Sequence, residues 1–137
     1  MKLSELLLGV RIKGKMPETE VFGISTDSQN VKKGDLFICI KGVRADGHDY
    51  ARLALDTGAA LVLAERMPHD VEKARVILTE DTRKAASVAW YNFYGRPADG
   101  MTKIAVTGTA GKTSVAFILR ELLLSSGRRV GVVTTIR

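Results

Sequence analysis

The sequence predicts an α/β fold, in which a small domain of strands and helices is followed by one βαβ unit. Three observations carry that reading. Three short apolar runs, Leu36–Ile40, Ala59–Ala64 and Arg75–Leu78, have the length and continuity of strands buried on both faces. Segments with helical apolar spacing lie between or after them. Near the C-terminal end, a glycine-rich loop separates a further apolar run from an amphipathic helix.

The elements follow in order. Ser4 is placed to cap a short helix carrying Leu6, Leu7 and Leu8, which Gly9 stops. Residues 11–22 alternate weakly around Gly14 and Pro17 and read as strand and loop. Gly34-Asp35 and Lys41-Gly42 bound the first buried strand. Asp46-Gly47-His48-Asp49 is turn chemistry. Tyr50, Leu53, Ala54 and Thr57 then recur at helical spacing, with Gly58 where a C-cap glycine belongs. Two strands follow, separated by the Met67-Pro68 break. Asp81 or Thr82 caps a helix with Ala85, Val88, Ala89 and Phe93 on its inner face, ended by Gly95 and Pro97.

Arg96 to Gly100 reads as a linker, dividing the chain into domains 1–98 and 99–137. In the second, Lys103–Val106 is expected to be a strand and Thr107–Gly111 a loop. Lys112–Ser126 is expected to be a helix with Val115, Ile118, Leu119, Leu122 and Leu123 on one face, and Val130–Thr135 a second strand. A lone βαβ unit of roughly 40 residues covers its sheet on too few sides to be stable by itself.

Composition narrows the function. The 137 residues carry 21 Lys and Arg against 15 Asp and Glu, a net charge of +6, which permits nucleic-acid binding. The cations are scattered, however, and only 6% of residues are aromatic, so no stacking platform for nucleic acid is visible. No apolar run reaches the ~18 residues of a membrane span. The N-terminal stretch is broken too early by Gly9 for a secretory signal. The one cysteine, Cys39, excludes an internal disulfide and fits a reducing, cytoplasmic setting. His48 and His69 stand apart from any metal-ligand spacing. His48 reads as a turn residue and His69 as exposed. Trp90 reads as packing.

The chemistry lies in Thr107-Gly108-Thr109-Ala110-Gly111-Lys112-Thr113-Ser114. Small residues let backbone N–H groups curl around phosphate oxygens, and the helix start adds its partial positive charge. Lys112 is placed to reach the terminal phosphates, and the Thr113 hydroxyl to help hold Mg2+. Val106 stands where the common pattern G-x-x-x-x-G-K-[ST] has its first glycine. The loop points to ATP or GTP. It leaves open phosphoryl transfer to a small molecule, a GTPase switch and an ATP-driven ligase.

The loop resembles the T-G-T/S-N-G-K-T-T of the ATP-dependent Mur ligases of peptidoglycan synthesis, with Ala110 for Asn and Ser114 for the second Thr. Asp27-Ser28-Gln29-Asn30-Val31-Lys32-Lys33-Gly34-Asp35-Leu36-Phe37 resembles that family's D-S-R-x-V-x-x-G-D-L-F, with Gln29 for Arg. Lys41 to Tyr50 is similar to its K-G-x-x-x-D-G-H-D-F/Y. Asp81-Thr82-Arg83 and Tyr94-Gly95-Arg96-Pro97 resemble its D-T/S-R and F-Y-G-x-P. These motifs span the whole chain in the family's order.

The resemblance implies an N-terminal domain, residues 1–98, that holds the uridine diphosphate end of a UDP-N-acetylmuramoyl-peptide through Thr26, Ser28, Val43, Arg44 and Ala45. Ser28 also reads as a turn residue, and Arg44 as an ordinary loop arginine. Residues 99–137 would begin an ATP-binding domain, with Gly108, Thr109, Ala110, Gly111, Lys112, Thr113 and Ser114 on the nucleotide, Lys112 as the catalytic residue and Thr113 on the metal. The implied activity is amide formation through an acyl phosphate. Gly131 to Ile136 is closer to the G-L-I-G-T-I of the family's enzyme adding the third amino acid, with Thr134 for glycine. The enzyme adding the final dipeptide, and a non-catalytic nucleotide-sugar-binding module, are the alternatives. The family's amino-acid site and the rest of its active site would lie beyond Arg137, so residues 1–137 alone are expected to be inactive.

Overall fold

Five strands form one sheet in the order β1-β5-β4-β3-β2. They are β1 (Ile12–Lys13), β2 (Ile24–Ser25), β3 (Leu36–Ile38), β4 (Leu61–Ala64) and β5 (Val76–Thr79) in a computed structural model that describes residues 1–43 and 45–135. β2 to β5 are parallel, and β1 closes one edge antiparallel to β5. The chain divides into two compact units, Met1–Asp99 and Gly100–Arg137. The sheet belongs to the first.

Alternation along the strands builds two cores. Leu36, Ile38, Leu61, Leu63 and Ile77 face one side, where Leu3, Leu6, Ala85 and Ala89 join them. These last come from helices α1 (Leu3–Leu6) and α3 (Thr82–Phe93). Phe37, Cys39, Val62 and Ala64 face the other side, against Ala51, Ala54 and Leu55 of α2 (Ala51–Thr57). A sheet covered on both faces explains why its strands read as continuous apolar runs. Cys39 is fully buried, and desolvation pushes its thiol up to about 12, so it serves as a small apolar side chain.

Several details depart from the sequence expectation. Ser4 lies inside α1, whose N-cap is Lys2 with no side-chain bond, and Leu8 is exposed. The buried face of α2 is Ala51, Ala54 and Leu55, while Tyr50 and Leu53 face solvent, because a helix on a parallel sheet needs small residues at its closest approach. Of the two candidate caps for α3, Asp81 is the one that accepts from the Lys84 N–H, at 3.0 Å. Gly58 ends α2 at φ +138, and a Cβ there would sit 3.2 Å from the Lys33 backbone.

In the second unit, α4 (Lys112–Ser125) is the expected helix. Lys103–Val106 and Val130–Thr135 are not strands. None of the described residues of this unit is buried, and Val115, Ile118 and Leu122 on the expected inner face are exposed. An extended segment becomes a strand only when a neighbour shares its N–H and C=O groups. Ile104, Val106, Leu119, Leu123, Val130 and Val132 line an open groove beside α4. Among the described residues, no helix is long and apolar enough to cross a membrane.

Candidate functional site

Neighbouring parallel strands deliver their following loops to the same edge of a sheet, and open α/β sheets bind ligands at that edge. β2 pairs with β3 through Ile24↔Leu36 and Ser25↔Phe37. The segments that leave their C-terminal ends therefore lie side by side. They carry Thr26 and Ser28 after β2, and Val43 and Ala45 after β3. β4 and β5 bring Glu65-Arg66 and Asp81-Thr82-Arg83 to the same edge.

The first segment is a tight Asx turn. Ser25 Oγ donates to the Asp27 carbonyl at 2.8 Å, and Asp27 accepts from the Gln29 N–H at 2.9 Å and from Asn30 Nδ2 at 2.7 Å. The Gln29 N–H, then the Asn30 amide, hold the Asp27 carboxyl below its usual range. Thr26 is exposed, whereas Ser28 is 8% exposed.

The second segment is a lobe closed at its base. The Gly42 N–H donates to Ala45 O at 2.8 Å and the Gly47 N–H to Ile40 O at 3.0 Å. Val43 and Ala45 stand exposed on it; Arg44 lies outside the described residues. Below the lobe, Asp46 Oδ1 accepts from the His48 backbone N–H at 3.0 Å and lies 2.6 Å from His48 Nδ1. Asp46 Oδ2 accepts from both terminal nitrogens of Arg66, at 3.1 and 3.0 Å. The His48 backbone N–H, then its ring, hold the Asp46 carboxyl far below its usual range. The Glu65 N–H donates to His48 Nε2 at 3.0 Å, and Arg83 donates to Lys41 O at 2.6 Å.

The sequence reading placed His48 in a turn, and the structure buries it there with both ring nitrogens engaged. His69 is exposed, and Trp90 stacks on Tyr94 with ring centroids 5.7 Å apart. Glu65, Arg66 and Arg83 also stand at this edge. Arg83 had a signal, its place in the Asp81-Thr82-Arg83 motif; Arg66, twenty positions from Asp46, had none. Among the described residues, no group of three or more His, Cys, Asp or Glu is placed to hold a metal.

The phosphate loop lies in the second unit. Gly111 adopts φ +76 as the N-cap of α4, a left-handed conformation that favours glycine, and no side chain caps the helix. The ladder begins with the Val115 N–H donating to Gly111 O at 3.0 Å. The first N–H groups of α4 therefore point at the loop without a side-chain acceptor, as an anion requires. No Cβ would meet anything within 4 Å at Gly111, and Thr109, Ala110, Lys112 and Ser114 are exposed, with Thr113 half-buried. Lys112 Nζ donates to Gly108 O at 2.6 Å, folding the cation over the loop. These residues fit a nucleotide polyphosphate with its cation.

Comparison with known proteins agrees with the fold. The profile of the "Mur ligase family, catalytic domain" matches residues 20–94, more than half of the chain. A protein of Syntrophomonas wolfei named UDP-N-acetylmuramoyl-L-alanyl-D-glutamate–2,6-diaminopimelate ligase is 41% identical over 138 residues, covering 99% of this chain and 28% of that one. One of the same name from Aquifex aeolicus is 42% identical over 116 residues, covering 85% of this chain and 24% of its own length. The crystal structure of MurF ligase from Thermotoga maritima in complex with ADP matches with a TM-score of 0.56 at 34% identity, over 74% of this chain and 23% of that one. The structure of UDP-N-acetylmuramoylalanyl-D-glutamyl-2,6-diaminopimelate–D-alanyl-D-alanyl ligase from Acinetobacter baumannii matches with a TM-score of 0.55 at 27% identity, over 90% of this chain and 27% of that one. The chain thus spans between a fifth and a third of the length of the relatives it matches.

Proposed function

Since the chain belongs to the Mur ligase family, we propose that it supplies the UDP-binding domain and the phosphate loop of an ATP-dependent ligase that adds the third amino acid to UDP-N-acetylmuramoyl-L-alanyl-D-glutamate. The observation that carries this is the side-by-side exit of the two candidate substrate segments from β2 and β3. Thr26 and the Val43–Ala45 lobe contact the uridine or its phosphates from that edge, and Ser28 does so from within its turn. Arg44 offers a bidentate cation to the pyrophosphate. The named relatives support 2,6-diaminopimelate as the amino acid added.

In the second unit, the backbone N–H groups of residues 108–114 cradle the phosphates, and Thr113 Oγ1 contributes to Mg2+ binding. When bound, ATP supplies the phosphoryl group that converts the D-glutamate carboxylate into an acyl phosphate, which the incoming amine attacks with release of phosphate. Lys112 gives up its bond to Gly108 O and turns to the terminal phosphates, where its charge offsets the negative charge developing in transfer. The first unit binds the UDP end of the substrate, and the protein works in the cytoplasm.

The solved relatives named for the D-alanyl-D-alanine step favour a second reading, addition of the final dipeptide. Calorimetry of the chain with UDP-N-acetylmuramoyl-L-alanyl-D-glutamate, with the corresponding UDP-tripeptide and with Mg-ATP separates the two. Tighter binding of the dipeptide compound supports the third-residue reading, and tighter binding of the tripeptide compound the other. Binding of neither UDP compound overturns the substrate assignment.

A further inference from the structure

We propose that His48 is a positioning residue: it clasps the base of the 42–45 lobe to the end of β4 and so presets the lobe for the uridine diphosphate end of the substrate. The inference rests on the substrate reading above and deepens it.

The geometry sets the protonation form. A backbone N–H can only donate, so His48 Nε2, 3.0 Å from the Glu65 nitrogen, keeps its lone pair. Nδ1 therefore carries the hydrogen and donates it to Asp46 Oδ1, 2.6 Å away. The clasp is a neutral imidazole in its Nδ1–H form, 4% exposed. It joins Asp46, at the foot of the lobe, to Glu65, seventeen positions after His48. Arg66 holds the second Asp46 oxygen, so both oxygens of this carboxylate are engaged.

A histidine that merely filled the core would need neither bond. The two partners of His48 are polar groups on different elements, one at the lobe and one just past a strand end. The lobe's other foot is held separately, by the Arg83 bond to Lys41 O. A loop anchored at both feet loses less conformational freedom when a ligand orders it, and preorganisation of that kind raises affinity.

The test takes the whole chain and two substitutions that each keep one bond. Asn in H48N places its amide nitrogen near Nδ1 and keeps the Asp46 bond. Gln in H48Q places its amide oxygen near Nε2 and keeps the Glu65 bond. In both, amide exchange at Gly42 and Gly47 is expected to speed up about tenfold, the factor carried by one hydrogen bond. Exchange at Phe37 and Leu63, in the sheet, stays at the wild-type rate, which shows that the fold is intact. Affinity for UDP-N-acetylmuramoyl-L-alanyl-D-glutamate falls by a similar factor. Nitrogen-15 spectra of the wild type are expected to show His48 protonated at Nδ1 and not at Nε2.

An Nε2–H imidazole in the wild type overturns the clasp without recourse to any variant. So does wild-type exchange at Gly42 and Gly47 in both variants. Wild-type affinity in both variants overturns the positioning role while leaving the proposed function intact. Failure of the wild type itself to bind the UDP compound overturns the proposed function, and with it the ligand half of the inference.

Discussion

Glu65 Oε1 accepts from both the backbone N–H and the hydroxyl of Thr82, each at 2.9 Å. Thr82 is fully buried at the first turn of α3, and Glu65 follows β4. One carboxylate thus satisfies two donors that water cannot reach and sits where the helix dipole favours negative charge. It also places α3 against the strand end whose backbone holds His48.

Removing that carboxylate leaves the Thr82 N–H and hydroxyl without their acceptor. Glu65→Ala is expected to lose about 1–2 kcal/mol of stability, read from the urea midpoint. The Thr82 N–H is the main cause that holds the Glu65 carboxyl below its usual range. A depressed folded-state pKa contributes stability that is present above the unfolded value and lost as pH falls through the folded one. The gap between wild type and Glu65→Ala is therefore expected to narrow as the pH drops below about 4. A gap that stays constant into acid would exclude the ionised carboxylate as its source.

Asn92 donates through Nδ2 to Leu6 O at 3.0 Å and to Leu8 O at 2.9 Å, tying the end of α3 to the end of α1. Asn92→Ala is expected to cost about 1–3 kcal/mol, because these carbonyls lose their side-chain donor beside the core. Thermal unfolding of the variant at the wild-type midpoint would refute this tie.

Gly47 has no room for a side chain. A Cβ there would lie 2.7 Å from Ile40 N and 2.9 Å from Ile40 O, both backbone atoms that cannot swing aside. Gly47→Ala is expected to destabilise the chain by about 1–3 kcal/mol and to displace the 42–45 lobe. Calorimetry should then show weaker binding of UDP-N-acetylmuramoyl-L-alanyl-D-glutamate. Unchanged stability and affinity would show that the lobe is more pliant than its packing indicates.

Lys112→Ala removes the cation from the phosphate loop. Binding of Mg-ATP is expected to be lost, while binding of the UDP compound, which rests on the first unit, stays at the wild-type level. The same substitution in a chain of the relatives' full length should abolish ATP turnover. Near-normal turnover there would overturn the phosphate-loop assignment.

What could be read along the chain was local. The runs around Leu36, Leu61 and Val76 announced buried strands because a sheet covered on both faces needs no polar alternation. Gly58 and Asp81 marked helix ends because capping depends on near neighbours. The spacing of Gly108, Gly111, Lys112 and Thr113 announced a phosphate loop for the same reason. Apolar character alone does not make a strand, and Lys103–Val106 and Val130–Thr135, which have it, are not strands in the structure.

The sequence by itself determined the strands around Ile12, Leu36, Leu61 and Val76 and the helices α1, α2 and α3 of the first unit, where the phosphate loop starts its helix, and which family motifs the chain carries; the two-residue β2 (Ile24–Ser25), too short to carry a pattern, became a strand only by pairing with β3. Tertiary structure alone decided that the Thr26 and Val43 segments leave one sheet edge together. It also decided that Arg66 meets Asp46, that Glu65 serves Thr82, and that His48 joins the lobe to β4. The reason is one of range. Caps, turns and periodicities act over three or four residues, whereas these partners stand seventeen or twenty apart and meet only because β3, β4 and β5 lie side by side.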